Sequence, residues 1–341
     1  MPFNVAMFLI VCLSFAAVSC VKGGSPGASP VAVKRTQMHM GTLVSITAVG
    51  QTQAEANAAI TAGFEEVNRL ELLLSTWIPG SELSRVNAAA GRSAVMVSAE
   101  TMTVVRKSLQ VAEVTEGAFN IAIGPAVDAW NISAEPRLPT GEELDALKPL
   151  VDLQYVHTDV WERSIHLQKP GMRIDVGGIG KGYAADQAVL VMKKAGAIAG
   201  VVALSGDIKT FGQLAGGEAF PVRIRHPRKE NEILAQVTLR EEAISTAGDY
   251  ERFFEKDGVR YHHILDPQTL QPARGCQSVS VIAKEGIWAD GLDTGIFVLG
   301  VKRGMELVEQ LENVEAIIVD DIGRVHISSG LRDRVVLMSD H

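Results

Sequence analysis

A chain of 341 residues with 47% hydrophobic content has enough apolar material for one large domain or two small ones. A formal charge of −8 and the lack of any Lys/Arg block exclude a phosphate-backbone binder, so no nucleic-acid partner is expected. Aromatics make up 5% of the chain, too few for base stacking to be a main theme.

Residues 5–18 form an apolar run of signal-peptide length, too short to span a bilayer comfortably. The run ends Ala17-Val18-Ser19-Cys20. Small residues before a Cys resemble a bacterial lipoprotein cleavage box, with Ala17 where Leu is usual. A Gly/Ser/Pro-rich stretch over 22–30 reads as a flexible tether. The pattern predicts a signal peptide over 1–19, a lipid anchor on Cys20, a tether over 20–34 and one domain over 35–341. It would hold the protein at an extracytoplasmic face of the bacterial cell envelope. The alternative is a plain secretory signal with an incidental Cys20. With Cys12 removed and Cys20 acylated, Cys276 stands alone and the mature domain has no internal disulfide.

Residues 37–49 read as an opening strand containing Met40-Gly41-Thr42. An amphipathic helix is predicted over 53–74, from apolar Ala56, Ile60, Phe64, Val67 and Leu70; Pro79-Gly80 closes the segment after it, which holds Trp77. Residues 81–87 read as a loop. A second helix spans 98–115, with Ser98 as its cap. Gly117, Phe119, Asn120, Gly124, Pro125 and Trp130 follow. The excursion over 136–150 carries a short helix from Thr140, and 160–167 reads as a strand. Residues 172–188 read as a strand, a glycine loop and a helix start around Gly178, Gly180, Lys181 and Gly182. The dinucleotide fingerprint fails at Tyr183, and the P-loop fails because Gly182 follows Lys181. Free amides at a helix start beside Lys181 still suit an anionic ligand, although a purely structural turn explains them too.

A buried-type strand over 200–204 ends at Ser205-Gly206-Asp207, and strands follow over 222–225 and 233–239. Residues 250–254 and 259–264 form a predicted hairpin around Lys256-Asp257-Gly258. Its sides could aim Thr246, Asp249 and His263 at one place; an ordinary surface hairpin is the alternative. A strand over 278–283 leads to Asp290, Asp293 and Thr294. At i, i+3 and i+4 these share one helix face and suit magnesium, or else they cap a helix. A helix over 301–311 and strands over 316–320 and 324–328 close the reading.

Ser-Thr-Ala-Gly-Asp-Tyr from Ser245 to Tyr250 and His-His-Ile-Leu-Asp-Pro-Gln-Thr from His262 to Thr269 resemble the signature of the ApbE flavin transferases. So do Asp175-x-Gly177-Gly178-x-x-Lys181-Gly182-x-x-x-Asp186 and Ala289-Asp290-x-x-x-Thr294. The resemblance runs over roughly 38–328. It implies an α+β fold with a mixed sheet, flanking helices and a single catalytic domain of two lobes. It also implies a reaction: FAD is split with magnesium, and FMN is attached to a Thr or Ser hydroxyl of a target flavoprotein. That acceptor would be a subunit of a membrane redox complex or another extracytoplasmic flavoprotein. Carried over by residue, Met40, Trp77, Ala118, Phe119, Asn120, Asp175, Lys181, Thr246, Asp249, His263 and Ile264 would line the FAD site. Gly178 through its carbonyl, Asp290, Asp293 and Thr294 would hold magnesium, and His263 would be the base. Trp77 stands where a Tyr is common, and Asn120 replaces an Asp. A magnesium-dependent FAD pyrophosphatase and a non-catalytic FAD-binding lipoprotein are the rival readings; a serine hydrolase is discounted because no Gly-x-Ser-x-Gly elbow stands between a predicted strand and helix, the one match, over 23–27, being in the tether.

Overall fold

A computed structural model describes residues 29–214 and 217–338. The expected signal peptide, Cys20 and the start of the tether lie outside the described residues. Strands β1 (Val31–His39) and β2 (Thr42–Gly50) form a hairpin where the sequence predicts one strand. The reason is the Met40-Gly41 turn, with both residues at positive φ (49° and 68°), as a two-residue hairpin turn requires. Helix α1 (Gln53–Leu74) has the predicted bounds; Thr52 caps it and its apolar stripe is buried. The stretch read as a loop is a short helix, α2 (Glu82–Ala88), capped by Ser81. Strand β3 (Val95–Met96) precedes α3 (Ala99–Val114), which carries the predicted Ser98 cap.

Helices α4 (Gly124–Trp130) and α5 (Gly141–Leu147) follow, the second opened by a Thr140–Glu143 capping box. The strand predicted over 160–167 is a hairpin of β4 (Val156–Asp159) and β5 (Ser164–Leu167), turning at the exposed Trp161. Residues 172–176, read from the sequence as a strand, join no sheet. Their amides bond elsewhere: Ile174 N to Asn87 Oδ1 and Asp175 N to Ile121 O, each at 2.8 Å. The chain continues through α6 (Gly180–Lys194), β6 (Ala199–Leu204), β7 (Asp207–Phe211), β8 (Phe220–Arg225), β9 (Ile233–Leu239) and β10 (Ala243–Gly248). The hairpin is β11 (Phe253–Lys256) and β12 (Val259–His262), turning at Asp257-Gly258. It starts later than the sequence suggests because residues 249–252 form turns, with Asp249 N bonded to Gln277 O at 3.1 Å. Strand β13 (Cys276–Ala283), helix α7 (Gly286–Val308), β14 (Val314–Asp320), β15 (Val325–Ile327) and β16 (Val335–Leu337) complete the fold. The helix predicted over 301–311 is the second half of α7, set off by Gly300 at φ 76°.

The main sheet has eight strands in the order β1-β2-β6-β7-β10-β13-β14-β15. Each of its pairings is antiparallel, so its strands are not mixed in direction, while the α+β class stands. Alternation sends Val202, Leu204, Val279 and Val281 to one core, shared with α1, α6 and α7. It sends Val201, Ala203, Ile282 and Ile317 to another, beneath the three-stranded sheet β16-β9-β8. Strands covered on both faces read as continuous apolar runs, which is why 200–204 shows no polar alternation. A smaller core gathers Trp130, Leu144, Val151, Leu265 and Leu270. Trp130 Nε1 donates to Leu270 O at 2.8 Å and so fixes the turn after His263. Cys276 is a buried free thiol.

The starts of α6 and α7 lie against each other. A Cβ on Gly182 would sit 2.1 Å from Gly286 O. Asp186 closes the contact by accepting from Gly286 N at 2.8 Å and Ile287 N at 3.0 Å, which caps α7. Gly182→Ala is therefore expected to lower stability by about 1–3 kcal/mol, the usual cost of overpacking. Gly141→Ala, in open space, should be neutral. Equal melting temperatures for the two variants would show that the helix starts can move apart freely.

Candidate active site

Three buried carboxylates stand at the centre of the site. Asp290 and Asp293 lie one turn apart on α7, and Asp207 opens β7 after the Ser205-Gly206 turn. Oxygens of all three lie within 4.8 Å of one another. Gly182 N donates to Asp290 Oδ2 at 2.8 Å. Ser245 Oγ lies 2.6 Å from Asp293 Oδ2 and also contacts Asp207, but its single proton can serve only one of them. Lys181 Nζ pairs with Asp207 and lies 4.0 Å from Asp290 Oδ1.

The electrostatics show what the cluster lacks. Burial, reinforced by Asp207, pushes Asp290 up to about 7. Burial and the charge of Asp290 hold Asp293 well above the usual carboxylate range. Burial works against the charge on Lys181, but Asp207, Asp290 and Asp293 outweigh it and its pKa is raised. One ammonium cannot offset three carboxylates. The donor set of hard oxygens, short of positive charge, fits a divalent cation such as magnesium. Thr294 Oγ1 adds another oxygen, 3.1 Å from Asp293 Oδ1. Gly178 packs on the same spot: a Cβ there would lie 3.1 Å from Thr294 Oγ1. Asp290, Asp293, Thr294 and the Gly178 backbone are thus brought together in one place.

Around this centre, Met40 at the β1–β2 turn reaches the glycine loop, its Cε 3.9 Å from where a Gly180 Cβ would be. Phe119 is buried against Gly178 and Gly295, with the half-buried Ala118 beside it. Asp175 accepts from Gly177 N at 2.7 Å and from Thr76 Oγ1 at 3.2 Å. That bond brings the loop after α1 to the glycine turn and leaves Trp77, 72% exposed, as an open aromatic face next to it. Asn120 uses both ends of its amide on the backbone, accepting from Ala122 N at 2.7 Å and donating to Val151 O at 2.8 Å. A carboxylate could make the first bond and not the second, which accounts for Asn here.

The hairpin presents two different histidines. His262 is buried; Nε2 donates to Ala273 O at 2.8 Å and Nδ1 accepts from Ile264 N at 3.3 Å. Those bonds fix a neutral tautomer, and burial holds its pKa down at about 4. His263 is half-buried, and its Nδ1 donates to Arg252 O at 3.3 Å, which leaves Nε2 as the basic nitrogen. Desolvation first, then the charges of Arg252, His262 and Lys181, lower its pKa to about 3. Ile264 is buried behind it, its carbonyl taking Ala273 N at 2.9 Å. The expected convergence of Thr246, Asp249 and His263 does not appear in the side-chain contacts. Asp249 is held by both Arg228 nitrogens at 2.6 Å, with Arg260 at 3.5 Å. Thr246 Oγ1 bonds Ser280 Oγ at 2.8 Å, one step along the strand from Ser245 and therefore on the opposite face.

A model of the ApbE family matches residues 40–318 of this chain. The chain belongs to the ApbE family. It is 33% identical to the FAD:protein FMN transferase of Treponema pallidum over 318 residues, covering 88% of each chain. It is 34% identical to that of Salmonella typhimurium over 292 residues, covering 83% of each. Among solved structures, it superposes on the ApbE protein of Thermotoga maritima with a TM-score of 0.83 at 29% identity, covering 89% of this chain and 99% of that one. The flavin transferase ApbE of Vibrio cholerae gives 0.81 at 28%, covering 90% and 100%.

Within this ApbE chain, Asp207 and Ser245 are the site residues that sequence reasoning did not assign. Asp207 could have been suspected as a lone carboxylate at the end of a wholly apolar strand. Ser245 and Thr246 are adjacent hydroxyls, and only the strand's phase tells them apart.

Proposed function

We propose that this chain is an FAD:protein FMN transferase that uses magnesium, moves FMN from FAD to a Thr or Ser hydroxyl of an acceptor flavoprotein, and releases AMP. The observation that carries the reading is the cation-deficient cluster of Asp207, Asp290 and Asp293 beside the glycine start of α6, in a chain of this family. Asp290, Asp293, Thr294 and the Gly178 carbonyl would hold magnesium, with Asp207 as a further carboxylate. When bound, magnesium supplies positive charge that lowers the cost of charge built up on a diphosphate in phosphoryl transfer. Lys181 supplies a second cation on the diphosphate once the pair with Asp207 loosens. Met40, Phe119 and Trp77 offer apolar and aromatic surface to the flavin. The acceptor hydroxyl gives its proton to His263 Nε2 as its oxygen bonds the phosphorus on the riboflavin side. The bond from that phosphorus to the bridging oxygen breaks, and AMP leaves with that oxygen. A depressed pKa makes His263 a weak base but keeps it unprotonated at neutral pH.

The test is incubation with FAD, magnesium and a candidate acceptor, followed by product masses. FMN on the acceptor together with AMP is the expected result. Free FMN with AMP would replace the transferase by a pyrophosphatase, and intact FAD would leave a flavin carrier.

A further inference from the structure

Each carboxylate of the acid cluster is held by a protein donor, and the donors differ in kind. Asp290 is pinned by a backbone amide, Gly182 N, at 2.8 Å on Oδ2. Asp207 pairs through Oδ2 with the Lys181 ammonium. Asp293 is gripped at both ends by hydroxyls, Thr294 Oγ1 at 3.1 Å on Oδ1 and Ser245 Oγ at 2.6 Å on Oδ2. Ser245 reaches it from the sheet. Strand β10 pairs with β7 through Ala243–Lys209 and Ile244–Ile208, which carries Ser245 to Asp207, and its Oγ also touches Asp207 Oδ1. The hydroxyl, itself buried, is thus wedged between an acid of the sheet and an acid of α7. Asp207 already has the Lys181 ammonium, so the single Ser245 proton goes to Asp293.

We infer that Ser245 is a positioning residue that makes the site selective for a small divalent cation, magnesium over calcium. The inference rests on the magnesium part of the function proposed above. Magnesium takes oxygens in a near-ideal octahedron at about 2.0–2.1 Å. Calcium takes more of them in looser geometry at about 2.3–2.6 Å, and can take both oxygens of one carboxylate. A carboxylate held at both ends cannot turn to present both oxygens to one ion, so Asp293 offers one. The Ser245 clip also fixes the gap between Asp293 and Asp207, which a larger ion would have to widen. Removing the hydroxyl frees Asp293 Oδ2 and loosens the gap, which weakens a small ion's binding more than a large one's. Ser245 needs no contact with the ion, FAD or the acceptor to act in this way.

The experiment strips the whole protein with a chelator and titrates magnesium and calcium separately by calorimetry, without and then with FAD and with no acceptor. The melting temperature is a second readout. The native protein is expected to bind magnesium more tightly than calcium. Ser245→Ala should weaken magnesium by about tenfold or more, the usual effect of losing a group that orients a metal ligand, and calcium by much less. Ser245→Thr keeps the hydroxyl and should restore most of the preference. Ser245→Cys, a weak donor of nearly the same volume, should fall between, and it carries the test if the alanine variant does not fold. Ser280→Ala breaks the Ser280–Thr246 hydroxyl pair on the opposite face of the sheet and should leave both affinities unchanged. Native magnesium affinity in Ser245→Ala, or equal losses for the two ions, would overturn the assignment. A native protein that binds neither ion, with or without FAD, would remove the cation site and this inference with it. Magnesium selectivity that depends on Ser245, in a protein that cuts FAD only to free FMN and AMP, would sink the transferase reading and leave this inference standing.

Discussion

Asp290→Asn is expected to reduce transfer by on the order of 10²–10³-fold, the usual loss when a group stabilising transition-state charge is removed. Asn keeps the shape and can still accept from Gly182 N, so the start of α7 should stay in place. What disappears is one of three negative charges facing the cation site. Stability offers a second, independent readout. The folded pKa of Asp290, about 7, lies above the ordinary value of 3.8, so the fold favours its protonated form. That contribution is complete below pH 3.8 and is lost as pH rises through about 7. The cation-free protein should therefore melt lower at pH 8 than at pH 6, and magnesium should raise the melting temperature more at pH 8. Asp290→Asn should remove most of this pH-dependent magnesium effect. A variant that keeps full turnover, or the native magnesium shift at pH 8, would take Asp290 out of the cation site.

Much of this site was readable because its residues are neighbours in sequence. Asp290, Asp293 and Thr294 share one helix face by spacing alone, and the glycine run ending at Lys181 announces a helix start. What was not readable depends on pairing between distant strands. Asp207 and Ser245 meet α7 only because β7 and β10 are antiparallel neighbours at the centre of the sheet. The β1–β2 hairpin was hidden because Met40, not Asn or Asp, takes the left-handed position before Gly41. Helix α2 lasts only seven residues and was masked by the polar run around its Ser81 cap. In the same way, β5 was read too long because the turn before it carries Val160 and Trp161, apolar residues that are exposed.

His263→Ala is expected to lower transfer by on the order of a hundredfold or more, the usual size of a general-base contribution, while FAD and magnesium still bind. The side chain contributes one bond of 3.3 Å and little core, so the fold should survive. His262→Ala is the internal control with the opposite signature. It removes a buried ring that donates to Ala273 O, accepts from Ile264 N and packs edge-on against Phe297, so it should melt lower. Transfer per folded molecule should be less affected. The pH dependence separates the two roles further. A His263 pKa of about 3 instead of 6.5 places the acidic limb of kcat/KM that belongs to the base well below pH 6.5, and His263→Ala should erase it. Magnesium must be saturating, because protons compete with the cation at Asp290. For stability the sign is the reverse of the Asp290 case. Both histidines are neutral in the fold and protonated in the unfolded chain below 6.5. Their contribution is thus present above that pH and declines as acid approaches about 4 for His262 and about 3 for His263. If His262→Ala loses transfer at unchanged stability while His263→Ala keeps it, the base is on the other face of the strand and the assignment is wrong.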